Sequence, residues 1–150
     1  MFWGVAMSNG LIFLRKVPKK YASLQYIDIL ERYAVPIMNL NGNSNSFLIQ
    51  DNSRIHTAKI VKEWLINHSI RYIEWPSNSP DINIFENVWK MISDIVYSSK
   101  QCNNINDLID KIHKAVHEIN VTKREIIKSM FVNYNHRLTN LLLCRGNRLK

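Results

Sequence analysis

The sequence is short of cysteine, glycine and proline, and it has no long hydrophobic run. Its two cysteines, Cys102 and Cys144, stand far apart in no metal-ligand pattern, which argues against a disulfide framework or a zinc site and fits a reducing compartment. No apolar stretch approaches the roughly 18 residues that a membrane span requires. At the start of the chain the positive charges follow the apolar stretch, the reverse of a secretory signal. These absences predict a soluble, intracellular protein.

Acidic residues are also scarce relative to basic ones. There are 12 aspartates and glutamates against 20 lysines and arginines, and the net charge of +8 favours a polyanionic partner without identifying it. The apolar content of 46%, including 10% aromatics, is ample for a core in a chain of 150 residues. With no internal repeat and no low-complexity linker, we expect one compact domain over residues 1–150.

Turn residues and hydrophobic periodicity predict an alternation of strands and helices. A hairpin is expected around Ser8-Asn9-Gly10, because Asn-Gly supplies the positive φ angles of tight turns. After it we expect a helix capped by Ser23 with Pro36 near its end, the short buried strand FLIQ ending at Asp51, a helix capped by Thr57, and the strand IRYIEW. The remainder of the chain is predicted to be helical, with Thr122 capping the last long helix.

The predicted helices each have an apolar face. The expected core positions are Leu24, Ile27, Leu30 and Ala34, then Ile60, Val61, Trp64 and Leu65, then Phe85, Val88, Trp89, Ile92, Ile95 and Val96, and finally Ile105, Leu108, Ile109, Ile112 and Val116. Strands and helices in this order indicate an α/β domain with a mixed sheet. In such sheets, binding sites collect at the carboxyl ends of strands, and Asp51 stands at one of these ends. A lone carboxylate there can equally cap the following turn.

Glu86 is the candidate for a second carboxylate at the same place. Asn83 precedes it with the spacing of a capping box, so a bond from Glu86 back to the Asn83 amide is an alternative that does not exclude a binding role. We expect Glu86 at the edge of the buried helix face. The 34 residues 52–85 separate it from Asp51. Paired carboxylates suit Mg²⁺ or Mn²⁺, and two such ions about 3.5 to 4 Å apart promote phosphodiester chemistry.

Four segments together resemble the catalytic domain of the Tc/mariner superfamily of transposases. They are QDN at 50–52, HTA at 56–58, WPSNSPDIN at 75–83 and ENVW at 86–89. Each is weak alone, but their order and spacing are specific, and WGVAMSNG and YIDILE extend the resemblance over nearly the whole chain. The resemblance implies an RNase H-like fold and an Asp, Asp, Glu (or Asp) triad, in the version with Glu last.

The resemblance also implies roles for individual residues. Asp51 resembles the family's second metal-binding aspartate, and Glu86 resembles its third acidic ligand. His56 is a secondary candidate for positioning DNA or a metal-bound water, with a structural role as the alternative, and Asn52 is expected to orient the Asp51 loop. Family members cut DNA with Mg²⁺-activated water and join the freed 3′ hydroxyl to target DNA. The implied cofactor is therefore Mg²⁺ or Mn²⁺, and the implied partners are DNA and a second copy of the chain, without a small-molecule cofactor or a membrane.

The sequence departs from the family's pattern at its beginning. The family's first catalytic aspartate lies on a strand upstream of the segment matched by WGVAMSNG, and Met1 leaves no room for that strand. The family's amino-terminal helix-turn-helix DNA-binding region is absent as well. We therefore expect residues 1–150 to be a partial catalytic domain lacking the first, central strand, with a two-metal site only in a complete enzyme and little or no activity in this chain. Unpaired strand edges predict poor folding or association.

Three hypotheses remain open at this point. The chain is an enzyme with a lost beginning, a decayed transposon remnant, or a non-catalytic DNA-binding or interaction module on the same fold. Whether it is an enzyme is therefore undecided from the sequence. A nuclear or cytoplasmic location is expected, without secretion.

Overall fold

A computed structural model describes residues 1–40, 46–73, 83–98, 101–134, 136 and 139. The chain divides into two compact units. The first unit contains α1 (Ser23–Ile29), a π-helical turn (Leu30–Ala34), α2 (Val35–Leu40), β3 (Leu48–Ile49), α3 (Lys59–Asn67) and β4 (Tyr72–Ile73). The second unit contains β1 (Phe2–Ala6), β2 (Ile12–Lys16), α4 (Ile84–Ser98), α5 (Ile105–Thr122) and α6 (Arg124–Val132). The predicted α/β class is confirmed. None of the helices in the described residues is long and apolar enough to cross a membrane.

The described strands form two separate pairs. β1 and β2 are antiparallel, whereas β3 and β4 are parallel, with Ile49 opposite Ile73. The predicted strand FLIQ is reduced to two residues, and Phe47 and Ile49 are 54% and 39% exposed. The prediction of a buried strand there is therefore wrong, because Phe47 and Ile49 alternate along the strand and so share one face, and that face is exposed in the described part of the chain. The polar segment NGNSNS at 41–46, whose composition predicts a surface loop, lies almost entirely outside the described residues.

The predicted hairpin is present, but its turn has three residues. Met7 N–H donates to the Leu11 carbonyl and Gly10 N–H donates to the Met7 carbonyl, both at 2.9 Å. Gly10 has a φ of +87°, as expected for the left-handed residue that ends such a loop. Asn9 does not share this conformation, and its side chain accepts a hydrogen bond from Leu11 N–H at 3.1 Å instead. The prediction of positive φ is therefore correct for glycine and wrong for asparagine.

The hairpin packs against α4, α5 and α6 to form the core of the second unit. Ile12 and Leu14 alternate along β2, so both point to the same face. The buried cluster consists of Ile12, Leu14, Val88, Ile92, Val96, Ala115, Ile119 and Ile127. The predicted apolar face of α4 is confirmed. In α5, Ile105 is 65% exposed, because the buried stripe is centred nearer the end of the helix, on Ala115 and Ile119.

A side chain of α5 completes the outer edge of β2. The Asn120 Oδ1 accepts from Ile12 N–H at 2.9 Å, and its Nδ2 donates to the Ile12 carbonyl at 3.0 Å. Ile12 is buried, so both backbone groups need a partner inside the protein. Asn120 therefore serves this edge as the peptide group of a neighbouring strand would.

Gly4 allows α4 to approach β1 closely. A Cβ at this position would meet Phe85 Cζ and Leu14 Cδ2. The Phe85 ring also packs edge-on against Trp89, with 5.0 Å between ring centroids. The first turn of α4, in which Glu86 follows Phe85, is thus anchored on the hairpin.

In the first unit, α1 packs against α3. The buried side chains of these helices and the π-helical turn are Tyr26, Ile29, Leu30, Ala34, Val61 and Leu65. Leu24 and Ile60, which were predicted for the core, are 65% and 45% exposed. Both predictions are wrong by about one helix position, since the buried stripe of each helix is rotated toward the next residues.

The predicted helix caps differ from the observed ones. Ala22 and Ala58 precede α1 and α3, and neither alanine can cap a helix, although Gln25 Oε1 accepts from Ala22 N–H at 3.1 Å. Ser23 Oγ donates instead to the Ile55 carbonyl at 3.2 Å, and Thr57 Oγ1 donates to the Ser53 carbonyl at 3.1 Å. The two hydroxyls thus stabilise the loop before α3 rather than a helix start.

The predicted Thr122 cap is also wrong. Thr122 is the last residue of α5, and its hydroxyl donates to the Glu118 carbonyl at 2.8 Å. Lys123 precedes α6. The helical periodicity of α5 therefore overrides the local capping preference of threonine.

A π-helical turn joins α1 to α2. Val35 N–H donates to the Leu30 carbonyl, five residues earlier, and Pro36 follows. In a regular α-helix the proline ring would clash with the carbonyl four residues before it, that of Arg32. The wider turn lets the helix continue past Pro36 to Leu40, although the sequence predicted an end close to the proline.

Candidate metal site around Asp51

Asp51 lies two residues after the end of β3, in a loop that its own side chain closes. Asp51 Oδ1 accepts from Ser53 N–H at 3.0 Å, which forms a local turn. The Ser53 carbonyl then accepts from His56 N–H at 2.9 Å and from Thr57 N–H at 3.0 Å. These bonds fold residues 51–57 back on themselves and bring the His56 ring to Asp51.

The His56 side chain contacts Asp51 through the same oxygen. Nδ1 of His56 and Oδ1 of Asp51 are 2.6 Å apart. An ionised carboxylate can only accept hydrogen bonds, so His56 Nδ1 must carry the proton. In the described part of the chain, the other oxygen, Oδ2, has no hydrogen-bond or ion-pair partner. The Asp51 side chain is 54% exposed, and Oδ2 is therefore available to a ligand.

The two hydrogen bonds keep Asp51 ionised. The bond from His56 is the main cause that lowers the pKa of Asp51 below its ordinary value, and the Ser53 amide and the charge of His56 act in the same direction. Partial burial opposes them by raising the pKa. The result is a charged carboxylate with one fixed oxygen, which is the form that binds a hard divalent cation.

Tyr26 and Gln50 both contact His56, Tyr26 through its ring and Gln50 through a hydrogen bond. The Tyr26 and His56 rings lie 4.2 Å apart between centroids at an angle of 33°. Tyr26 Oη donates to Gln50 Oε1 at 2.5 Å, and Gln50 Nε2 donates to the His56 carbonyl at 3.2 Å. Burial raises the pKa of Tyr26, with Tyr21 and Asp51 adding to the effect, so the hydroxyl remains a donor. We call Tyr26 and Gln50 the supporting pair.

Glu86 occupies the first turn of α4, in the second unit. Asn83 Oδ1 accepts from Phe85 N–H at 3.0 Å and so caps the helix. The second bond of a capping box, in which Asn83 N–H would donate to the Glu86 carboxylate, is not formed between these two described residues. Glu86 is exposed rather than at the edge of the buried face, because Phe85 turns toward the hairpin. Its carboxylate is therefore not committed to capping.

The structure thus brings together three of the predicted site residues, Asp51, Asn52 and His56, in one loop. Asn52 is exposed and sits inside the turn that the Asp51 side chain closes. Glu86 belongs to the other unit. Across the described residues, no cluster of three or more His, Cys, Asp or Glu side chains forms a complete metal site.

The sequence did not indicate the supporting pair. In the sequence, Gln50 belongs to the QDN segment and Tyr26, 24 residues away, begins the YIDILE segment, but neither segment indicates that the two side chains meet. Since their contact depends on tertiary packing, no local spacing announces it.

Comparison with known structures identifies the fold. The chain is similar to the catalytic core domain of BIV integrase, with a TM-score of 0.51 and 15% sequence identity, over 81% of this chain and 75% of that one. This likeness confirms the predicted RNase H-like fold and, at such low identity, shows the fold alone.

Sequence comparison identifies the family. Residues 1–109 match the family model of the DDE superfamily endonucleases, and the chain belongs to this family. It is 30% identical to the Tcb2 transposase of Caenorhabditis briggsae over 112 residues, and 26% identical to the Tc3 transposase of Caenorhabditis elegans over 148 residues. These matches cover 75% and 98% of this chain. The predicted resemblance to Tc/mariner transposases is thereby confirmed.

The chain spans only part of the length of these relatives. It covers 41% of the Tcb2 transposase and 44% of the Tc3 transposase. Transposases act on DNA, and DDE endonucleases generally use divalent metal ions. The segment of the chain that matches the family model contains both Asp51 and Glu86.

Proposed function

We propose that Asp51 and Glu86 are metal-binding carboxylates of a Tc/mariner-type transposase catalytic domain, which cleaves DNA and transfers the cut strand with Mg²⁺ or Mn²⁺. One observation carries the proposal. Asp51 is held through Oδ1 by His56 and Ser53 while Oδ2 has no partner in the described residues. A carboxylate needed only to close a turn would require the contact with Ser53 but not the contact with His56.

The donor chemistry of the two residues fits a hard divalent cation. Both are exposed carboxylates, neither is paired with a lysine or arginine in the described residues, and carboxylate oxygens are the ligands that Mg²⁺ and Mn²⁺ prefer. When bound, such ions polarise the phosphodiester and activate the attacking oxygen. The chain's own contribution is to keep Asp51 ionised and oriented, which His56 achieves through Nδ1.

The remaining site residues have supporting roles in this proposal. His56 orients Asp51, and its second nitrogen, Nε2, is left for water or DNA. Asn52 helps to maintain the conformation of the turn that orients Asp51. Residues 1–150 form part of one catalytic domain, DNA is the substrate, and a second copy of the chain is a candidate partner in a nuclear or cytoplasmic setting. The net charge of +8 supports a polyanionic substrate.

Metal binding tests the proposal directly. Mn²⁺ affinity is measured by electron paramagnetic resonance of the free ion, for the unchanged chain, Asp51→Asn and Glu86→Gln. Each substitution is expected to weaken binding at least ~10-fold, because losing a ligand should cost no less than losing a residue that only supports one, which typically costs 10- to 100-fold. Asp110→Asn and Glu118→Gln, which alter exposed carboxylates of α5, are the matched controls and should leave the affinity unchanged.

Equal Mn²⁺ affinity in the unchanged chain and in Asp51→Asn would contradict the proposal. The same proteins are then assayed for nicking of supercoiled DNA in Mg²⁺, and any nicking is expected to disappear with Asp51→Asn. DNA binding that weakens with salt, is indifferent to Asp51→Ala and is accompanied by no nicking would favour a non-catalytic DNA-binding module instead.

A further inference from the structure

The supporting pair makes contacts that a helix packed only for stability would not need. Tyr26 is only 2% exposed, and its buried hydroxyl has a hydrogen-bond partner because it donates to Gln50 Oε1. Gln50 in turn uses its other side-chain atom to donate to the His56 carbonyl. The Gln50 side-chain amide thus joins the Tyr26 hydroxyl to the backbone of His56, the residue that contacts Asp51.

The second contact between α1 and His56 is through the rings. The Tyr26 ring lies 4.2 Å from the imidazole of His56, so it limits the rotation of that ring. Together, the ring contact and the Gln50 bridge fix both the backbone and the side chain of His56. The only Asp51 oxygen that has partners in the described residues, Oδ1, bonds to this histidine and to Ser53.

We propose that Tyr26 and Gln50 are positioning residues for Asp51 and act through His56. They hold the imidazole with Nδ1–H toward Asp51 Oδ1, which leaves Oδ2 directed to a divalent cation. This inference rests on the proposed role of Asp51 as a metal ligand. Supporting residues of this kind commonly change metal affinity 10- to 100-fold, since they fix the orientation of the ligand.

The neighbouring Tyr21 supplies a matched control. Its ring packs edge-on against Tyr26 at 6.4 Å, but its buried hydroxyl has no hydrogen-bond partner in the described residues. Tyr21→Phe and Tyr26→Phe therefore remove the same atom from adjacent rings, and only the second removes a contact to Gln50. Val61→Ala shortens a buried side chain on α3 and leaves the hydrogen-bonding groups of Tyr26, Gln50 and His56 in place, so it controls for a general loss of stability.

The test reads the imidazole tautomer of His56 by ¹⁵N NMR at about pH 8, where an unperturbed imidazole is neutral. His56→Gln assigns the signal. His68, whose Nδ1 lies 2.8 Å from the Trp64 carbonyl, is an internal reference. Tyr26→Phe and Gln50→Leu are expected to lower the fraction of the Nδ1–H form of His56 and leave His68 unchanged. Tyr21→Phe and Val61→Ala should leave both histidines unchanged.

Mn²⁺ affinity is measured on the same variants. Gln50→Leu is expected to weaken it by about 10- to 100-fold and Tyr26→Phe by less, since the ring contact remains. If Gln50→Leu does not fold, Gln50→Glu replaces it, because it keeps the acceptor for Tyr26 and loses the donor to His56.

Two outcomes separate the two proposals. A wild-type His56 tautomer in both Tyr26→Phe and the Gln50 variant would overturn the positioning role, whatever their stability. Absence of Mn²⁺ binding in the unchanged chain would overturn the proposed metal function, while the tautomer would still decide whether Tyr26 and Gln50 orient His56.

Discussion

Replacing Asn120 should destabilise the second unit far more than its position in the last turns of α5 suggests. Asn120→Ala removes both hydrogen bonds to Ile12, whose side chain is buried and whose backbone groups face away from β1. An unsatisfied buried backbone group costs about 1–3 kcal/mol, so two of them give about 2–4 kcal/mol after partial hydration. This is a large part of the ~5–15 kcal/mol that stabilises a typical domain.

The assay is urea unfolding followed by circular dichroism, with Asn106→Ala as control. Asn106 lies in the first turn of the same helix and is exposed, so the control reports the gain of about 0.5 kcal/mol that alanine gives a helix. We expect Asn120→Ala to be less stable than both the unchanged chain and the control. Equal stability of the two alanine variants would refute the reasoning that Asn120 satisfies the strand edge.

Asn120→Asp tests the donor and the acceptor separately. At neutral pH the carboxylate still accepts from Ile12 N–H, but it has no proton for the Ile12 carbonyl. Below about pH 4 a carboxyl group is protonated and offers one donor and one acceptor, as the amide does. The destabilisation relative to the unchanged chain should therefore be smaller at pH 3 than at pH 7. A pH-independent difference would show that the two bonds do not set the stability of this edge.

Three further predictions follow from the described contacts. Gly4→Ala should lower the free energy of unfolding by about 1–3 kcal/mol, measured by urea unfolding, because the new methyl displaces the Phe85 ring. Asn104→Ala should lower it by about 1 kcal/mol in the same assay, since Asn104 caps α5 by accepting from two backbone amides. The lowered pKa of Asp51 means that its contribution is present above its ordinary pKa and is lost as the pH falls through the folded value. The difference between Asp51→Asn and the unchanged chain should thus shrink on going from pH 6 to pH 3, and it should stay below about 1 kcal/mol because the side chain is half exposed.

Much of the fold could be predicted because its signals are local. Asn9-Gly10 predicts the hairpin. The helical spacing of apolar residues predicts the apolar face of α4, and the buried Val88, Ile92 and Val96 confirm it. The caps could not be predicted in the same way. Ser23 and Thr57 have the side chains of helix caps, but each hydroxyl donates to a carbonyl of the Asp51 loop instead, Ser23 to Ile55 across a tertiary contact and Thr57 to Ser53 within the loop.

In the candidate site, too, some residues are indicated by local sequence and others only by tertiary contacts. Asp51 and Glu86 stand out through motif order and spacing, and the family match supports that recognition. The tautomer of His56 and the contribution of Tyr26 depend on an approach between α1 and the loop after β3, which no spacing in the sequence encodes. The sequence therefore indicates the proposed metal ligands more directly than the residues proposed to orient them.

The π-helical turn at Leu30–Ala34 has a consequence for how this segment tolerates changes in length. A π-helical turn contains about one residue more than an α-helical turn, so α1 and α2 are related as two helices separated by a single-residue insertion. Deleting one residue from this turn would restore a regular helix with α2 in nearly its present orientation, because the π-helical turn absorbs the extra residue, but it would press Pro36 against the carbonyl four residues before it. The extra residue is needed only because of the proline. An alignment of this helix with related sequences should therefore place a one-residue gap here wherever the proline is missing.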